Sequence, residues 1–173
     1  RRKSILGIGN ALTDILAVLP NDLLLKQYHL PKGSMQHVDQ ATGDKIWATL
    51  KPMGVEYVAG GSAANTINGA AVFGMRAGFI GKVGDDDLGA LYKSDLERNG
   101  IKATLLKGKS SSGRAMVFIS NPNAERTFAV YLGAALEMVP EDLKPEFFQG
   151  YDYFHIEGYL VQNQSLLRKA VEL

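Results

Sequence analysis

The stretch VAGGSAANTINGAA, Val58 to Ala71, decides how the rest of the chain is read. The residues before it, Val55 to Ala59 (VEYVA), alternate apolar and polar and predict a strand that delivers the chain to Gly60-Gly61. The residues after it, Ser62 to Met75, predict a helix with a small-residue face. A double glycine between a strand and a helix sits where open α/β sheets bind ligands, beyond the carboxyl end of a strand. Glycine lets another group come close to the backbone, and a helix start offers free N–H donors. Asn65, one turn into that helix, is placed to aim its amide at the same spot. Two readings stand: a ligand floor, or tight packing of helix on strand.

Working outward, apolar runs and helical periods alternate. Ser4 to Ile8 predicts a buried strand that turns at Gly9-Asn10, and Ile15 to Leu19 predicts a second strand. A short helix is expected over Leu23 to Tyr28, a strand over Ser34 to Val38, and a helix capped by Asp39 that runs to Leu50. Ala77 to Gly84 reads as a strand. The next helix is capped by Asp86 or Asp87, carries the stripe Leu88, Leu91, Tyr92 and Leu96, and closes at Gly100. GRAMVFIS and ERTFAVYL flank Asn121-Pro122-Asn123-Ala124 and predict a hairpin. A helix is expected from Pro140, then a buried strand in YDYFHIEG, then a helix whose spacing persists to the last residues. Strands alternating with helices predict an α/β fold with a parallel, doubly wound sheet. The segments 15–19, 34–38 and 113–132 break the rhythm and suggest a small separate antiparallel sheet.

Composition narrows the function classes. Of 173 residues, 46% are hydrophobic and 21% charged, enough for a packed core. A formal net charge of +1 argues against a nucleic-acid surface. The chain has no cysteine, which removes disulfides, thiolate metal sites and a cysteine nucleophile. His29, His37 and His155 share no ligand spacing, so no metal site is expected. No apolar run reaches a membrane-spanning length and no signal peptide is visible, so a cytoplasmic protein without membrane or nucleic-acid partners is expected. The chain opens on Arg and ends inside a helical pattern, which suggests a piece of a longer protein.

Several polar positions carry two readings each. Asn10 and Asp14, just after the first strand, offer an amide and a carboxylate to a polyol, or simply favour a turn. The acids of GKVGDDDLG read as a helix cap and first-turn charges. Arg114 and Arg126 in the hairpin either close over an anionic group or pair with surface acids. Glu157 ends a buried strand, where an unpaired charge is costly. The phosphate-loop pattern GxxxxGK[ST] is absent, and Gly7-Ile8-Gly9 lacks the third glycine of a dinucleotide fingerprint. A nicotinamide-dependent dehydrogenase is therefore disfavoured.

GIGNALTDIL, VEYVAGGSAANT, FIGKVGDDDLG, the hairpin from Gly113 to Leu132 and YFHIEGY, in this order, together resemble the ribokinase-like carbohydrate kinases, the phosphofructokinase-B family, which includes adenosine kinases. The resemblance runs from Ile5 to about Gln164. It implies a three-layer α/β/α domain with a small β-sheet lid, and transfer of the ATP γ-phosphate, with Mg2+, to a hydroxyl of a sugar or nucleoside. It implies that Asp14 binds substrate hydroxyls with Asn10 nearby, that Gly60, Gly61, Ser62 and Asn65 form the substrate floor, and that Glu157 is a substrate-side acid. The lid would exclude water, and relatives often dimerise through it. Two departures stand out. Ile67 replaces the small residue expected two places after Asn65. The Gly-Ala-Gly-Asp motif that carries the family's catalytic base is missing, so no catalytic residue is expected in this chain; Asp85 belongs to an earlier structural turn. A non-catalytic sugar-binding module is the alternative.

Overall fold

In chain order the elements are β1 (Ser4–Ile8), β2 (Leu12–Leu19), α1 (Leu23–Gln27), β3 (Met35–His37) and α2 (Gln40–Leu50). Then come β4 (Glu56–Gly60), α3 (Ser62–Val72), β5 (Arg76–Val83), α4 (Asp87–Arg98) and β6 (Ile101–Lys107). The rest are β7 (Gly113–Ser120), β8 (Glu125–Tyr131), α5 (Pro145–Phe148), β9 (Tyr153–Ile156) and α6 (Gln164–Glu172). This computed structural model describes residues 2–173.

The first sheet has the order β6-β5-β1-β9, and all its pairings are parallel. Side chains alternate across a strand, so β1 feeds two cores. Gly7 faces α3, where its missing side chain makes room for Ile67. Ala63, Ile67, Phe79, Tyr92 and Leu96 bury that layer, with α3 and α4 outside it. Leu6 and Ile8 face the opposite way and pack with Ile80, Leu143, Leu166 and Ala170 under α6. This is the three-layer α/β/α arrangement.

The second sheet has five strands in the order β3-β8-β7-β2-β4. It is mixed, not antiparallel as expected: β2 runs parallel to β7 and β3 parallel to β8, while the β2–β4 and β7–β8 pairs are antiparallel. β4 belongs here, although its sequence reads as an ordinary strand of the parallel sheet; the bend at Gly60-Gly61 returns the chain to the first sheet. Ile15, Ala17, Leu19, Met116 and Phe118 cover one face and pack against α1 and α2 through Leu25, Ile46 and Leu50. The other face, with Leu12, Asp14, Leu16 and Ala115, turns toward the first sheet.

Three further differences have local causes. The helix expected from Pro140 is two short turns, Pro140–Asp142 and Pro145–Phe148, because Pro145 disfavours helical backbone at Lys144. β6 shows no clear strand period in IKATLLK, because it is an edge strand whose side chains are mostly half-buried. β9 is also an edge strand, with Tyr153 exposed, and is not the buried strand its apolar sequence suggests.

Candidate functional site

The two sheets enclose a cavity of about 370 Å³. One side is polar: Asn10, Gly61, Ser62, Asn65 and Glu157 line it. The opposite side is largely apolar, with Leu12, Ala115, Phe128, Val130, Leu132 and Leu136, and Asp14 stands among them on β2. Six of the positions singled out from sequence thus converge, from β2, the β1–β2 turn, the start of α3 and the end of β9.

Asp14 is a strand residue within β2, not part of a turn. Its position in the alternation puts it on the cavity face between Leu12 and Leu16. No donor among the described residues hydrogen-bonds its carboxylate, and the side-chain amides of Asn10 and Asn65 are likewise unengaged. Burial pushes the Asp14 carboxyl up to about 6, with the positive charge of Arg126 pulling the other way. Arg126 shares the cavity-facing side of β8 with Phe128 and Val130, although the side chain itself is exposed. A half-buried carboxylate with free acceptor positions, beside two free amides, suits a ligand that supplies several hydroxyl donors.

Glu157 is buried but not free. Its carboxylate accepts from Asn10 N at 3.0 Å, from Ala63 N at 2.9 Å, and from the Ser62 hydroxyl. It therefore closes the N-terminus of α3, whose dipole would otherwise attract an anion, and ties β9 to the β1–β2 turn. Its charge is compensated inside the protein.

The double glycine has a different explanation from the expected ligand floor. A Cβ on Gly60 would collide with the Asp14 carboxylate, and one on Gly61 with the Asn10 carbonyl oxygen. Gly61 also sits at φ +92, a left-handed region that glycine occupies readily. What approaches the bare backbone is the protein's own polar site. Gly61 still lines the cavity; Gly60 lies beneath Asp14 and is not part of the lining.

Arg114 does not reach the cavity. It lies on the face of β7 that also carries Met116 and Phe118, so the period of two turns it toward α2. There it is 1% exposed, pairs with Asp44 and lies between the rings of Trp47 and Tyr131, at 5.3 and 4.8 Å. It is a packing cation, neither a clamp over a ligand nor a solvated surface charge. Asp85 is exposed and pairs with Lys107 at 3.3 Å. Asp86 caps α4 and accepts from Ser112 N and Oγ at 2.7 and 2.6 Å.

Four residues of this region carried no sequence signal for it. Tyr92 is fully buried and donates from its hydroxyl to Gly60 O at 2.9 Å. Burial first, then the charges of Asp14, Glu157 and Asp95, raise its phenol well above the ordinary value, so it stays a donor. Asp95 accepts from Ala59 N at 2.7 Å. Both read as ordinary positions of an amphipathic helix. Met35 and His37 line the cavity from β3, a three-residue strand too short to show a period.

Fold and cavity together define an α/β domain in which a second sheet covers a cavity with a polar floor. Residues 38–172 match the model of the pfkB family carbohydrate kinases, and the chain belongs to that family. Asn10 and Asp14 lie outside the matched span, while Gly60 to Asn65 and Glu157 lie within it. Adenosine kinase from Schizophyllum commune is 30% identical over 96% of this chain and 49% of its own length. Aminoimidazole riboside kinase from Salmonella typhimurium is 33% identical over 57% of this chain and 31% of its own. Among solved structures, adenosine kinase from Sinorhizobium meliloti superposes with a TM-score of 0.83 at 31% identity, over 99% of this chain and 53% of that one. The chain thus spans about half, or less, of the length of these relatives. Among the described residues, no helix is long and apolar enough to cross a membrane.

Proposed function

We propose that this chain is the substrate-binding part of an ATP-dependent kinase that phosphorylates a hydroxyl of a nucleoside. The observation that carries the reading is the Asp14 carboxylate, without a protein donor, beside the free amides of Asn10 and Asn65. Ribose hydroxyls would donate to Asp14, while Asn10 and Asn65 fix the ring's orientation. Glu157 would position rather than bind, by holding the Asn10 and Ala63 backbones. With Glu157 closing the start of α3, that end offers no cradle for a phosphate, which favours a neutral substrate. The apolar wall of the second sheet suits a flat ring system and would exclude water as a lid.

A simple sugar is the second reading, since a probable fructokinase from Arabidopsis thaliana is 30% identical over 56% of this chain. Glu157 does not favour it, because protein donors occupy both of its oxygens.

The family implies ATP, and Mg2+ is its usual companion. The residues described here do not fit that pair. No three His, Asp or Glu side chains among them converge to hold a cation, and the α3 N-terminus is already occupied by a carboxylate. No step through the nucleotide is assigned to this chain.

Titration calorimetry on the complete natural protein, with adenosine, inosine, ribose and fructose, tests the reading. A nucleoside should bind at least about tenfold tighter than ribose, since the apolar wall adds on the order of 1.4 kcal/mol or more. Fructose or ribose binding as tightly as any nucleoside would sink it. ATP consumption that depends on the bound nucleoside separates the kinase from a non-catalytic binding module.

A further inference from the structure

Four residues on four strands of the second sheet fall into one cross-strand row. Asp14 on β2 pairs with Ala115 on β7, Ala115 with Val130 on β8, and Val130 with His37 on β3. Residues paired in this way project to the same face, and all four line the cavity. Three strand spacings separate the ends of the row by about 14 Å. A carboxylate therefore stands at one end, a low apolar shelf of Ala115 and Val130 in the middle, and an imidazole at the other end. Phe128 and Met35, paired one step along the same two strands, widen the apolar shelf.

His37 has no other task in the fold. It is exposed on an edge strand, and its side chain makes no hydrogen bond, ion pair or ring contact among the described residues. An imidazole offers a donor or an acceptor at either nitrogen. A monosaccharide held at Asp14 ends over Ala115. A molecule with a second ring carries its far edge along the shelf toward His37.

We infer that His37 is a specificity-determining residue, which hydrogen-bonds the distal edge of a ring system whose sugar hydroxyls are held at Asp14. The inference rests on the nucleoside reading and adds to it the residue that tells one base from another. A site that hydrogen-bonds a substrate group discriminates against analogues lacking it. At an exposed position a net bond is worth about a tenfold preference.

The test is calorimetry on the complete natural protein with adenosine, inosine, purine riboside, which lacks the exocyclic group, and free ribose. The unaltered protein should prefer one edge-bearing nucleoside over purine riboside by about tenfold. His37→Leu should collapse that ratio toward one while ribose binding stays the same. His37→Gln, which keeps a donor and an acceptor, should retain most of it. An unchanged ratio in H37L overturns the inference, as does an equal loss for all four ligands or the absence of any preference in the unaltered protein. If the unaltered protein binds ribose but no nucleoside, the substrate reading itself fails. Nucleoside binding with a preference indifferent to H37L removes His37 alone.

Discussion

At Asp14, folding and binding pull against each other. The folded protein holds this carboxyl at about 6 instead of the ordinary 3.8, chiefly through burial. Its ionised form therefore costs the folded state up to roughly 3 kcal/mol, less whatever solvent screening removes. The penalty is absent below pH 3.8, where the group is protonated in both states, and grows to its full size above about pH 6. Asp14→Asn should accordingly stabilise the ligand-free protein by about 1–3 kcal/mol at pH 7.5, by about half as much at pH 5 and by almost nothing at pH 3.5, read from denaturant melts at each pH. The same change should abolish ligand binding, because the ionised carboxylate accepts the hydroxyl hydrogen bonds. In the unaltered protein, affinity should fall as pH drops below about 6. A gain in stability of D14N over the unaltered protein that is no larger at pH 7.5 than at pH 3.5 would refute this account. At Gly60, alanine should be damaging for a related reason, since its methyl would displace the Asp14 carboxylate.

Helix α3 is seated by a complementary pair. Family resemblance expects a small residue at position 67, but Ile67 is fully buried there, and the space it needs is left by Gly7 on β1. Gly7→Ala should overpack the contact by about 1–3 kcal/mol, and Ile67→Ala alone should leave a cavity worth about 2–5 kcal/mol. The double variant should cost less than the sum by at least about 1 kcal/mol in a denaturation cycle. Additive losses would show that the two positions do not share the space. Helix α4 has a different role. Asp86 holds Ser112 at the start of β7, while Tyr92 and Asp95 hold Gly60 and Ala59 at the end of β4. One helix thus braces two of the junctions between the sheets. Tyr92→Phe should cost about 1–3 kcal/mol in the same denaturation measurement, because it leaves the buried Gly60 carbonyl without its donor. Helix starts at Asp39 and Asp86 were legible from sequence because an N-cap is a local interaction. β6 and the broken helix after Pro140 were not, because edge exposure and a competing proline outweigh the apolar pattern there.

Across the whole molecule, the cavity exists only because two sheets meet face to face at Asn10, Gly61 and Glu157. No phosphate loop, cation cluster or open helix N-terminus faces it from the described residues. The 173-residue chain by itself should therefore consume no ATP in a coupled assay, even where it binds the nucleoside. Turnover by this chain alone would place a catalytic base within it, against the reading above. The sequence by itself determined the alternation of strands and helices, the interruption by a second sheet and most of the polar positions that converge. Each of these is written in local periods, caps and turns. Only the tertiary structure decided which face each residue takes and what stands opposite. It turned Arg114 into the α2 core, closed the start of α3 with Glu157, set Gly60 beneath Asp14 and brought His37 to the far end of the same row. Such pairings join residues scores of positions apart, and no local preference of the backbone specifies them.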